Sequence, residues 1–437
     1  MVMTLLRQMW NRRRQNGWIF LELIAVGIFL WVVLDPLCVQ IANKNIDRGY
    51  EQDGLYLLNM DKYGKRSARY SREYDTDSIG LENYHDIIRV ICNLPEVGSF
   101  VVNESSTFAN SGSFYGGNLY GDSALTKDVD IQCYWFYPVG GSDMLKTYRF
   151  RDANTGEIMG LSPDFRSKNI VYVSESVARR LYGRTDVAGE KCWLGNRNCN
   201  EIGGVFRDFK DRDYNQPYPM MVAKMGSTIR GSKTMHWRYS IVFRVKDGVD
   251  ADGFEHRFNE EVKPALVRGN YYCTGISRLG EYARNMAEMT GDLNVVRKNT
   301  IFAMFGLCCV FLGMVGTFWV QVNARRQEIG VMRSLGASKY RIMAQFIMEA
   351  LILVTVTSVI AIAVMGYYVH AEGFFAKGGM QSGEMPDMQY WQNNPLPHFM
   401  IISLVMYLSL LVISIIGTCI PVGRAIRELP ADALREE

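Results

Sequence analysis

Residues 325–338 read Arg325-Arg326-Gln327-Glu328-Ile329-Gly330-Val331-Met332-Arg333-Ser334-Leu335-Gly336-Ala337-Ser338. They lie between two apolar runs, Ile301–Val322 and Ile342–Val369, so they read as a short loop at a membrane face. The loop carries Arg325, Arg326 and Arg333, and short loops rich in Lys and Arg belong on the cytoplasmic side. Ile329, Met332 and Leu335 fall on one helical face with charged shoulders. Such a stripe suits a groove on a soluble partner. A turn resting on lipid is the alternative.

Two more apolar runs, Gly17–Leu34 and His398–Val422, flank this core. Each of the four runs is long enough to cross a hydrocarbon layer of about 30 Å at about 1.5 Å per residue. The first could also be read as a signal peptide, given the basic residues before it. It is long for that, and it ends in Asp35-Pro36, with no small-residue cleavage site. Glu349 lies about two turns into the third run. A carboxylate there is costly and is read as an anchor for a loop arginine in preference to an ion path. Cys309, Gly313 and Gly316 form a small-residue face in the second run, suited to a dimer seam or to packing within the bundle.

Lys and Arg in the short flanks place both termini on the cytoplasmic side. The expected fold is an α+β membrane protein with four transmembrane helices and a large mixed α/β extracytoplasmic domain between helices 1 and 2. The expected divisions are an amphipathic segment at 1–16, TM1 at 17–38, an exterior domain with stalk helices at 39–296 and TM2 at 299–322. A coupling loop follows at 323–341, then TM3 at 342–369, an exterior loop at 370–397, TM4 at 398–422 and a tail at 423–437. In a bacterium this is an inner-membrane protein with a periplasmic domain.

Within 39–296, strands are expected at Ser99–Val102, Asp130–Tyr137, Tyr148–Phe150, Asn169–Val173, Ile202–Phe209 and Tyr239–Val245, with a loop at Gly112–Gly121. Ser174 is placed to cap a helix over Glu175–Tyr182 that Gly183 ends. Helices are expected at Glu255–Leu266 and Ser277–Lys298, the second running into TM2 as a stiff rod. Cys192 and Cys199 flank Gly195-Asn196, a two-residue hairpin signal. That register sets them opposite each other, so a cross-strand disulfide is one reading and two free thiols the other.

The net charge of +3 suggests no nucleic-acid partner. No P-loop, metalloprotease, hydrolase or kinase signature occurs, and no cysteine or histidine spacing suggests a metal. The acidic group Asp208, Asp211 and Asp213 reads as solvated surface. Any work this chain performs therefore draws on a partner's energy.

Three places resemble the MacB-like, FtsX-superfamily ABC permeases. Residues 326–338, followed by Phe346 and Glu349-Ala350, are similar to that family's loop between its second and third spans. The tail Pro421–Ala425 and Pro430–Glu436 resembles its C-terminal ending. Val173–Gly183 with Val187–Gly189 and Gly204–Phe209 resembles its exterior domain. The resemblance implies a non-catalytic permease subunit, with a separate ABC ATPase docking on Arg326, Glu328, Ile329, Gly330, Met332, Arg333, Leu335, Gly336, Ala337 and Ser338. It also implies a second permease chain, the same or related, and an adaptor with an outer-membrane duct. ATP and Mg would sit on the ATPase, leaving no cofactor on this chain. No ATPase domain precedes the first span, which leaves exporter, lipoprotein-releasing and regulatory branches open. The contrasting expectation is a membrane sensor or scaffold whose loop recruits a partner that is not an ATPase.

Overall fold

The computed structural model describes residues 13–104, 115–195, 198–225, 229, 239–376 and 390–427, and the backbone alone at 13–16, 115, 132, 326–328 and 333. The expected interfacial helix before residue 13, and the tail from 428 on, lie outside them. The chain divides into two compact units: residues 44–292, and the segments before 44 and after 292.

The second unit is built on long apolar helices. They are α1 (Arg13–Asn45), and, numbered after the intervening domain's helices, α7 (Asp292–Ala324), α9 (Lys339–Glu372) and α10 (Pro395–Arg427). All four are long and apolar enough to cross a membrane. Leu30, Trp31, Val310, Ala350, Val354, Ala361, Met406 and Leu410 share one buried core. Glycines set the spacing of α1 against α7. A Cβ at Gly306 would stand 2.9 Å from the Phe29 ring, and Gly313 faces the Glu22 side chain. Part of the small-residue face is therefore used inside this chain.

The domain between the first two spans is a mixed α/β sheet. Its elements run β1 (Leu55–Lys62), α2 (Asp77–Cys92), β2 (Val97–Glu104), β3 (Tyr115–Tyr120), β4 (Asp128–Tyr137), α3 (Met144–Tyr148), β5 (Ile170–Ser174), α4 (Glu175–Tyr182), β6 (Lys191–Leu194), β7 (Asn198–Phe206), β8 (Met220–Lys224) and β9 (Tyr239–Val245). Then come α5 (Ala251–Ala265, with a π turn at Phe258–Val262), β10 (Val267–Arg268), β11 (Tyr271–Arg278) and α6 (Leu279–Met289). The strand order is β10-β11-β1-β9-β2-β4-β3-β6-β7-β5-β8, and β8 also pairs with β4, closing a ring of six strands. Alternating side chains split the sheet's apolar residues between faces. Tyr134, Phe136, Tyr172 and Val222 join one core, and Ile131, Cys133, Val173 and Met221 join another together with Val177 and Leu181 of α4.

Several expectations change. The Gly-rich stretch expected as a loop contains β3, paired along its length with β4. The strand expected at Tyr148–Phe150 is instead the end of α3, started by Asp143, whose carboxylate accepts from Lys146 N at 3.0 Å. The rod expected at Ser277–Lys298 is broken. α6 ends at Met289, Gly291 takes φ +85°, and α7 begins at Asp292. Gly alone adopts that backbone without penalty.

The cysteine reading also changes. Leu194 pairs with Asn198, so the connecting loop holds three residues and not two. Trp193 then faces Cys199, and Cys192 faces Asn200. A slip of one residue moves a side chain to the opposite face. Cys192 is fully buried, Cys199 is exposed, and both are free thiols.

Candidate coupling site

The loop between the second and third spans is a short helix held between two turns. α7 ends at Ala324, Arg325 turns the chain, and α8 spans Arg326–Ser334. Gly336 closes α8 with φ +89°. Ser338 then caps α9, its Oγ accepting from Arg341 N at 3.3 Å.

The expected apolar stripe does not act as one surface. Ile329 is 4% exposed and belongs to the core of the helical unit, with Met332 and Ala337 packed against it. Gly330 is buried as well. Leu335 points the other way and is 82% exposed, joined by Val331 and Tyr340. Ser338 is exposed. α8 thus has an anchored face and an open apolar face. The side chains of Arg326, Glu328 and Arg333 lie outside the described residues.

The anchor is completed by Arg325. Its Nη1 donates to both oxygens of Glu349, at 2.9 and 3.0 Å, and both residues are buried. The guanidinium also lies 5.4 Å from the Phe346 ring centre. A buried charge with its partner and a ring face satisfied is tolerable where a lone carboxylate would not be. Near the same end of the unit, Arg424 sits 5.1 Å from the Trp319 ring, tying α10 to α7.

Sequence reasoning missed a second polar cluster. Asp35 and His398 meet at 2.6 Å, both essentially fully buried. The signal was present: an Asp and a His, each within an apolar helix, are costly alone and invite a search for each other.

The acidic group of the extracytoplasmic domain is structural. Asp213 accepts from Arg48 Nε and Nη2, at 2.9 and 3.1 Å. Asp208 accepts from Ser176 N at 2.9 Å and so caps α4 in place of Ser174, whose Oγ instead accepts from Met220 N. Burial raises the Asp208 and Asp211 carboxyls above the ordinary range. This corrects the solvated-surface reading. Among the described residues no cluster of His, Cys, Asp and Glu is arranged to hold a metal.

These features define a four-helix membrane protein with a mixed α/β extracytoplasmic domain between its first two spans. Residues 300–428 match the FtsX-like permease C-terminal family. The chain is 22% identical over 358 residues to the macrolide export ATP-binding/permease protein MacB of Aggregatibacter actinomycetemcomitans, covering 78% of this chain and 49% of that one. It is 23% identical over 304 residues to a probable syringafactin export ATP-binding/permease protein of Pseudomonas syringae pv. syringae, covering 59% and 44%. Over 213 residues it is 23% identical to the uncharacterized ABC transporter permease YknZ of Bacillus subtilis, covering 47% and 50%. The chain thus spans half or less of the length of these relatives. Among solved structures, the periplasmic region of MacB from Actinobacillus actinomycetemcomitans aligns with 55% of this chain and 96% of its own, at 15% identity and a TM-score of 0.29. Residues 300–428 thus carry an FtsX-like permease C-terminal domain, and the chain is similar in sequence to MacB-type ABC permeases.

Proposed function

We propose that this chain is the non-catalytic permease subunit of an ABC transporter of the bacterial inner membrane. ATP hydrolysis on a separate ATPase subunit, which carries the nucleotide and Mg, moves the extracytoplasmic domain. That movement extrudes a periplasmic peptide, toxin, antibiotic or lipoprotein. Both termini lie in the cytoplasm. A second permease chain completes the transporter, and a periplasmic adaptor with an outer-membrane duct receives the substrate.

The observation that supports this reading is the two-faced α8. One face is fixed to the spans through Ile329 and the adjoining Arg325–Glu349 pair, and the other presents Val331 and Leu335, with Tyr340 beyond it. A force applied to the open face would reach α7 and α9 without first unfolding the loop. An apolar helix face of this kind suits a groove on a soluble protein.

The test is affinity recovery of the full-length chain from its native host in mild detergent, with Leu335→Glu and Tyr340→Glu tested alongside the wild type. Both side chains are exposed, so the variants should insert and unfold like the wild type. A Walker-motif ATPase that accompanies the wild type and is reduced at least tenfold by Leu335→Glu is the expected result. Recovery of a partner that is not an ATPase favours the sensor or scaffold reading. An ATPase indifferent to both variants moves the docking site away from α8.

A further inference from the structure

We propose that Asp35 and His398 are a positioning pair that locks α1, the 373–376 segment and the start of α10 into one body, which stays closed through the permease's working cycle. No feature of the coupling loop is needed for this geometry. Its functional arm alone rests on the transport reading above.

The lock is built from one carboxylate and three N–H donors. Asp35 Oδ2 accepts from the backbone N–H groups of Phe375 and Ala376, at 2.9 and 3.1 Å. Asp35 Oδ1 faces His398 Nε2 at 2.6 Å. The other ring nitrogen, Nδ1, lies 2.9 Å from the Gln392 carbonyl. A carbonyl can only accept, so Nδ1 is the donor in that contact. The ring is also held on its faces and edges. Phe374 stacks on it at 4.0 Å between centres, and Trp391 meets it edge-on at 5.5 Å. Every polar atom of the pair that these contacts reach has a partner, as burial requires.

The pair is also one point of a longer seam. Trp31 Nε1 donates to Ser403 Oγ at 3.1 Å, and Gln392 Nε2 donates to Asn43 Oδ1 at 2.8 Å. On α1 the three polar contacts fall at residues 31, 35 and 43, with buried Val39 completing the spacing of four. Residues four apart share one helix face. Across the seam their partners descend through 403, 398 and 392, as two antiparallel chains must. Three attachments over three turns fix the height of α1 and its rotation about its axis together. One attachment would fix neither.

A polar cluster this deep in a membrane protein is costly unless every member is satisfied. The two backbone amides carry the most telling part. They belong to the stretch directly after α9, where no helical carbonyl reaches them, and they bond to a side chain on another span. Their protection from exchange therefore reports the state of the lock itself.

The experiment is hydrogen exchange at the Phe375 and Ala376 amides, read by fragmentation mass spectrometry on the full-length chain in lipid nanodiscs. The expected result is slow exchange in the wild type and at least tenfold faster exchange in Asp35→Ala, which removes the acceptor. His398→Gln should accelerate it less, because the two amides keep their acceptor. Amides in α10 beyond Ser403 should not change in either variant. Wild-type rates in Asp35→Ala, or equal acceleration throughout α10, would overturn the proposal. The second arm needs no variant: the wild-type chain is measured with its co-purified ATPase, with and without ATP. Equal protection in both states is expected, and a tenfold loss with ATP would show that the body opens. Failure to recover an ATPase would count against the transport reading and leave the nucleotide-free arm to decide the lock.

Discussion

Two buried side-chain pairs brace the helical unit, one at each end, and they are built differently. Arg325–Glu349 is a single joint, in which one guanidinium nitrogen spans two carboxylate oxygens and a ring lies alongside. Asp35–His398 is a hub in which one carboxylate gathers two backbone amides and an imidazole that is itself held by a carbonyl and two rings. The joint lies where a helix meets its loop, so its arginine has somewhere to go if released. In the hub, Asp35 and His398 are almost fully buried. This suggests that the loop end is built to transmit and the opposite end to hold. The sharpest way to break that contrast is Asp35→Ala. It leaves two buried amides and the imidazole without their partner at once, and each buried group left unsatisfied costs about 1–3 kcal/mol. Thermal unfolding in detergent should show this as the largest loss among the single substitutions considered. A loss no greater than that of Glu349→Gln would erase the distinction.

Glu349→Gln should cost less, about 1–3 kcal/mol, the range for a hydrogen bond to a charged group. Arg325 can rotate toward the membrane surface once its partner is neutral. Replacing both partners, as Arg325→Met with Glu349→Leu, should recover most of that loss, because an apolar pair avoids the desolvation of two charges. The same double replacement should still weaken ATPase recovery if the joint transmits force. Recovered stability with undiminished coupling would make it a simple staple.

The extracytoplasmic domain offers a smaller effect with a definite sign. Lys210 is buried, with Nζ donating to the carbonyls of Lys44 and Asp213 at 3.1 Å. Burial lowers its pKa from the ordinary 10.5 to about 8. Between these values the unfolded chain binds more protons than the folded one, so this group makes stability rise with pH across that window. Below pH 8 its burial is a constant cost. The buried thiols Cys192 and Cys273 have raised pKa values and act in the opposite direction at higher pH. The difference between wild type and Lys210→Met isolates the lysine. Urea unfolding from pH 7 to 10 should show the wild type gaining on the variant as pH rises. A flat difference would mean that water reaches the ammonium.

Local signals in the sequence were legible where one element satisfied itself. Tyr239–Val245 is alternating and β-branched, and it is β9. Gly183 ends α4 with φ +71°, as its position before a polar turn required. Four apolar runs became four long helices because hydrophobic length depends on no distant partner. The failures are all non-local. β3 is a strand because β4 lies beside it, and its glycines carry no propensity that says so. The ring closes because β8 reaches β4, a pairing no single stretch encodes. Asp35 and His398 are 363 positions apart, and each was read as the edge of an apolar run. At the 323–341 loop the period was legible, but the side that the core would take was not. Ile329 went inward and Leu335 outward because Ile329 joins the core of the helical unit, a fact fixed by tertiary contact.

The smallest expected effect concerns the two cysteines of the β6–β7 hairpin, where one residue of loop length decides the chemistry. With three residues in the loop, Cys192 points into the core shared with Val173 and Met221, and Cys199 points to solvent. Burial pushes the Cys192 thiol up to about 12, with Cys199 adding a minor contribution, so its thiolate is scarce at neutral pH. Cys199 has no such protection. A membrane-impermeant maleimide should therefore label Cys199 in the folded protein without reductant, and Cys192 only after denaturation. The unfolding temperature should be the same with and without dithiothreitol, and Cys199→Ser should shift stability by less than about 0.5 kcal/mol, as exposed substitutions do. The alternative two-residue loop makes the opposite set of predictions. Both thiols would be silent until reduced, and reduction would lower the unfolding temperature, because closing even a short loop restricts the unfolded chain. Labelling at Cys199 alone thus reads the register of the hairpin directly, and with it which face of β6 belongs to the core.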